Sequence, residues 1–157
     1  MTRRSRSRSL AGRRRNRGQA LVEFALVAPL FFLVLFGIVE AGRFMFYYET
    51  LNNATREGAR YAIVNGANSL GCPTGPPAPG SSSCDPTGED VKERVRNAAY
   101  GVLGAGVTVT PTWHDPADNG RGSTVTVTAT YTYASLIPIV PLPPIKVQAE
   151  SSLVVNN

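Results

Sequence analysis

Three groups of residues in this sequence carry side chains able to do chemistry. The first is a single carboxylate, Glu23, near the start of the apolar run from Ala20 to Val39. An ionisable side chain in a lipid-facing helix costs about 2.5 to 3.5 kcal/mol on insertion scales, so an acid there points to pairing or to recognition by a processing enzyme. The second group is Cys72 and Cys84, the two ends of "CPTGPPAPGSSSC". The third is His114 with Asp115, beside Trp113. A nucleophilic triad needs a third member delivered by the fold, and an isolated His-Asp dipeptide in a turn does not supply one. Two cysteines with a single distant histidine do not complete a four-ligand zinc site. The sequence has no HExxH and no phosphate-binding glycine loop, so neither catalysis, a cofactor, a metal nor a small-molecule substrate is expected.

The element that positions Glu23 is the apolar run itself. Its 20 residues, interrupted only by Glu23, Pro29 and Gly37, are enough to cross a hydrocarbon core of about 30 Å as a helix. Eight of the 16 basic residues, Arg3 to Arg17, precede it, and none of the 11 acids does. From Gly18 onward eight basic residues face 11 acids, so the overall charge of +5 belongs to the N-terminal tail. Basic residues stay on the cytoplasmic side of a membrane span. The N-terminus is therefore expected in the cytoplasm, with everything after about Glu40 outside. On that oxidising side Cys72 and Cys84 read as a disulfide. The arginine-serine tail, "MTRRSRSRSLAGRRRNR", is expected to be disordered. It is read as a topology signal or an anionic-lipid contact rather than a nucleic-acid arm.

Past the membrane run the helical period continues. Phe44, Tyr48, Leu51, Thr55, Gly58 and Ala62 recur at helical spacing, and the first stop is at Asn65 and Gly66. One helix from Ala20 to Asn65 would be roughly 70 Å long at about 1.5 Å per residue, its second half a stalk. Ala54, Gly58 and Ala62 are small residues at i, i+4 and i+8, which admit close approach either of the domain's own sheet or of a neighbouring subunit. Glu57 and Arg60 stand at i, i+3 spacing for an ion pair.

From Gly66 to Gly88 the composition turns to Gly, Pro and Ser, the loop that the disulfide would cinch. A second helix follows, capped by Asp85 or by Thr87 with Asp90, with an apolar stripe of Val91, Val95, Ala98, Ala99 and Val102. Gly104 and Gly106 end it. Then the period becomes alternating: Val107 to Pro111, Thr124 to Tyr133, and Ile145 through Leu153 read as three strands with one polar, threonine-rich face. "HDPADNGRG" makes the first two a hairpin. "SLIPIVPLPP" carries four prolines among apolar residues, so it is no central strand; packing on the sheet, touching the membrane and binding a partner are the three readings it leaves. The fold class is α+β: a long N-terminal transmembrane and stalk helix, a second short helix and a small antiparallel sheet of about three strands.

Two stretches, "RGQALVEFALVAPL" and "EAGRFMFYYETLNNATREGARYA", together resemble the TadE-like family of pilin-like proteins from tight-adherence (Tad, or Flp) pilus assembly systems. The likeness covers about Arg17 to Ala62. It implies cleavage by a membrane-embedded prepilin peptidase after Gly18, leaving Gln19 as the new N-terminus, Glu23 as the fifth residue and Phe24 after it. Gln19 departs from the aromatic that filament-forming pilins often carry there. The resemblance also implies a pilin-like fold, other pilin-like subunits of the Tad system as partners, and work through assembly rather than turnover. In a bundle of such helices, Glu23 of one subunit would pair with the Gln19 amine of its neighbour.

The expected organisation is a basic cytoplasmic leader over 1–18, a transmembrane helix over 19–40, its continuation as a stalk over 41–66, and an extracytoplasmic α+β domain over 67–157. The expected location is the cytoplasmic membrane, single-pass, with incorporation into a pilus compatible with it. The expected role is that of a minor pilin or pseudopilin. The alternative is a secreted or membrane-anchored extracytoplasmic binding protein, for which "VEA" at Val39 to Ala41 offers a small-residue cleavage site; the apolar run is longer than the 7 to 15 or so residues of an ordinary signal segment.

Overall fold

The computed structural model describes residues 12–115, 119–136 and 143–156. Residues 1–11, most of the tail expected to be a disordered leader, lie outside the described residues, as do 116–118 between the first two strands, 137–142 of the proline-rich stretch, and 157. The order is α1 (Gly12–Val64), α2 (Glu89–Leu103), a 3-10 turn at Gly104–Gly106, then β1 (Val107–Trp113), β2 (Thr124–Tyr133) and β3 (Ile145–Val154). This is the expected α+β architecture. The strands form one antiparallel sheet in the order β1-β2-β3.

α1 is longer than the expected span of Ala20 to Asn65. It begins at Gly12, since arginine is a good helix former and residues 13–17 contain no breaker. The chain divides into two compact units between Ala41 and Gly42, and α1 contributes to both. In the first unit the helix is exposed on every side: the most apolar 18-residue window has no share buried, and Leu21, Leu26 and Ile38 are among its exposed apolar side chains. A helix apolar all round and covered by nothing is suited to lipid. Pro29 is accommodated within it.

In the second unit the remainder of α1 forms the core with α2 and one face of the sheet. Leu51, Ala54, Thr55, Gly58, Ala59 and Ala62 of α1 are buried, and Phe44 and Tyr47 pack against the same core. Tyr47 takes the position that spacing gave to Tyr48, which faces solvent. On α2 the buried stripe is Val91, Val95, Ala99 and Leu103, a strict i, i+4 row; Ala98 is exposed and Leu103 replaces it, because the helix buries a narrow seam. Val107, Val109, Val125, Val127, Ala129, Val147 and Ala149 complete the core from the sheet. The opposite face carries threonines in register, Thr108 with Thr130 and Thr110 with Thr128, and Thr126 Oγ1 donates to Ser152 Oγ at 3.1 Å.

β1 runs on through Pro111 to Trp113. His114 N–H donates to Thr124 carbonyl at 2.9 Å, so the backbone N–H and C=O groups of even-numbered β1 residues point at β2 and those of odd-numbered ones point to the open edge of the sheet. Pro111 is odd, and the amide it lacks is one the edge does not use.

Candidate functional site

No described arrangement resembles an active centre. His114 and Asp115 are both exposed on the turn after β1. Among the described residues no three His, Cys, Asp or Glu side chains converge to hold a metal. The residues left to carry function are those of the exposed helix and those organising the domain around it.

On the exposed helix Gly18, Gln19, Val22, Glu23 and Leu26 line one shallow concavity, as i, i+1, i+4, i+5 and i+8 spacing requires. Gly18 and Glu23 thus share a side, with Gln19 between them. Phe24 projects elsewhere and is exposed. Among the described residues nothing donates to the Glu23 carboxylate, which is also exposed. Gly18 has no heavy atom near the position of a Cβ, so its backbone is open to approach.

The small-residue stripe has a different fate. Ala54 and Ala62 are buried in the protein's own core. A Cβ at Gly58 would collide with Val95 of α2 and approach Val91 and Val127 at 3.6 Å, so this glycine sets how closely α1 meets α2 and the sheet. Of the two readings left open by spacing, the stripe satisfies the domain's own packing. All three residues are buried within this chain. Glu57 likewise turns across to α2, where Oε1 lies 3.4 Å from Arg94 Nε, instead of along the helix to Arg60.

The cysteines are joined: Cys72 and Cys84 form a disulfide with their Cα atoms 5.6 Å apart. Beside it lies a polar cluster that spacing alone did not reveal. Asp85 is buried; Glu89 N–H donates to its Oδ1 at 2.8 Å, Asp90 N–H to its Oδ2 at 2.9 Å, and the Thr74 hydroxyl to Oδ2 at 2.8 Å. Burial pushes the Asp85 carboxyl up, but the hydrogen bonds from Asp90, Thr74 and Glu89 outweigh it and hold the group below the usual aspartate value. Of the two expected caps, Asp85 is the one realised, reaching past the left-handed Gly88 to the first turn of α2. Asn119 extends the cluster: its side-chain amide donates to the Thr74 carbonyl, and its own carbonyl accepts from Ala67 N–H at 3.1 Å. The outcome is a loop tied to α1, to α2 and to the hairpin turn.

A family model described as "TadE-like protein" matches residues 18–60. The segment is TadE-like. The match opens on Gly18, takes in Glu23 and the whole exposed apolar stretch, and closes at Arg60 within the buried part of α1. α2, the disulfide loop and the sheet lie beyond the TadE-like match. No characterised protein and no solved structure matches the chain.

Proposed function

We propose that this protein is a minor pilin or pseudopilin of a Tad-type pilus and secretion system, anchored in the cytoplasmic membrane with its α+β domain on the outer side, and acting without catalysis in filament priming, assembly or adhesion. The observation that carries the reading is the shared side of Gly18, Gln19 and Glu23 at the head of an exposed apolar helix within the TadE-like match. Prepilin peptidase removes the basic leader by cutting after Gly18. The new α-amino group of Gln19 then lies beside the membrane, where Glu23 of a neighbouring pilin-like subunit can pair with it. An acid in lipid costs several kcal/mol when unpaired, so pairing favours one axial register between subunits.

Intact mass and the N-terminal peptide of the protein from its own cells test this, compared with a Gly18 substitution and a strain lacking the peptidase. A chain beginning at Gln19, lost in both controls, supports the prepilin route. A chain beginning at Gly42 would mean a released soluble protein, and an uncut chain a simple anchor; either overturns the proposal.

A further inference from the structure

The two ends of the sheet differ in chemistry. At the end reached by Trp113 and Leu153 the surroundings are the Gly, Pro and Ser of the disulfide loop, together with Gly66 and Asn119. At the other end, about 30 Å away along β2 at ~3.3 Å per residue, aromatic and basic groups collect. Phe44 and Tyr133 meet edge to face at 5.5 Å, and Tyr47 meets Tyr133 at 5.6 Å and Tyr131 at 5.8 Å. The Arg43 guanidinium lies 5.5 Å from the Tyr47 ring centre and 5.6 Å from that of Tyr133. Tyr133 is paired with Ile145, and Thr132 with Lys146.

That same end exposes two large apolar side chains. Leu136 is 68% exposed and Ile145 40%, flanking the stretch 137–142 that lies outside the described residues. Single exposed apolar residues need no explanation, but two beside an aromatic and basic collar do.

Covalent connection fixes what this end adjoins. Phe44 stands five residues after Val39, the last of the apolar run, which in a helix is about 7 to 8 Å. With hydrocarbon ending near Val39, Phe44 falls at the outer edge of the headgroup layer, which is roughly 5 to 7.5 Å deep on each side. Tyr133 and Ile145 come with it, since the ring contact and the strand pairing tie them to Phe44. Tyrosines concentrate at this depth, and arginine and lysine meet lipid phosphates there.

We infer that this end of the domain is a lipid-contact surface, with Leu136 and Ile145 in the headgroup layer and Arg43 and Lys146 facing anionic lipid phosphates. The inference rests on the reading of residues 20–39 as a membrane anchor.

The test uses the full chain in nanodiscs of brominated phosphatidylcholine and phosphatidylglycerol, with one tryptophan added at a time and the half-buried Trp113 common to all. Leu136→Trp is expected to lose about half of its added emission to the brominated chains, and Ile145→Trp likewise, as interfacial aromatics do. Leu70→Trp, on the disulfide side, is expected to lose none, and Val39→Trp to lose most. Quenching of Leu136→Trp should weaken when Lys146→Glu is added in the anionic nanodiscs and stay unchanged in phosphatidylcholine alone. If Val39→Trp is quenched while Leu136→Trp and Ile145→Trp are not, the inference fails and the anchor stands. That outcome would leave the surface to a protein partner. If Val39→Trp is unquenched, the anchor reading itself fails. Equal quenching at Leu70 and Leu136 would mean indiscriminate adsorption and overturn the inference.

Discussion

Gly58 of α1 abuts Val95 of α2 so closely that the helices leave no room for a methyl group between them. Overfilling a packed core costs about 1 to 3 kcal/mol, offset by at most ~1 kcal/mol of helix propensity gained. Gly58→Ala should therefore destabilise the domain of the purified full chain in detergent, read as a lower denaturation midpoint. A residue serving only a contact between subunits would leave that midpoint unchanged.

Asp85 gives the domain a defined acid sensitivity. Its folded pKa lies below the unfolded one of about 3.9, so the unfolded chain binds this proton more readily. The contribution is thus complete above about pH 4 to 5 and is lost as pH falls through the folded value. Asp85→Ala should lower stability by about 1 to 2 kcal/mol near neutral pH, since two amides at the start of α2 and a buried hydroxyl lose their acceptor. It should also flatten the decline below about pH 4 relative to wild type. Denaturant titrations across that range measure both.

Removing the disulfide should weaken the same region. Closing a loop with a sequence separation of 12 is worth about 3 kcal/mol in the chain-entropy view. The double variant Cys72→Ser, Cys84→Ser should lose about that much. Because Cys84 adjoins the capping Asp85, faster hydrogen exchange at the Glu89 and Asp90 amides should accompany the loss. Exchange at the α1 amides around Leu51 should follow only the global change.

Glu23→Gln keeps the size and removes the charge. Under the proposed pairing, the variant should still yield a chain beginning at Gln19 but lose crosslinking to other pilin-like subunits. The N-terminal peptide mass and crosslinked yield separate the two roles of the acid. An uncut chain would assign Glu23 to peptidase recognition, and unchanged yields in both would remove it from assembly.

Much of this architecture is legible from periodicity because two surfaces dominate burial. Alternation from Val107 onward marks the strands, since one face is core and the other threonine. The helical stripe of α1 is legible to within one residue. Tyr47 and Tyr48 are the same side chain to a pattern, and only the position of Tyr133 decides between them. Leu103 was missed as the last buried residue of α2 because glycine follows it at once and composition gives the helix end no depth. Glu57 defeats local spacing since its partner lies 37 positions on, at Arg94. The Thr74, Asp85 and Asn119 cluster is assembled from three connections, and nothing in the order of those residues announces it. The Gly18 to Glu23 motif was read through resemblance, and the role proposed for it rests on an enzyme and a neighbour rather than on this chain's own packing.

The continuity of α1 has a mechanical consequence. A load applied to the exposed helix passes along one backbone to Leu51, Ala54 and Ala62. Those residues are gripped laterally by α2 and the sheet, so the core resists in shear, many contacts at once. No strand end is peeled, because the chain enters the domain through its helix. The element that tethers this domain is also its tensile member.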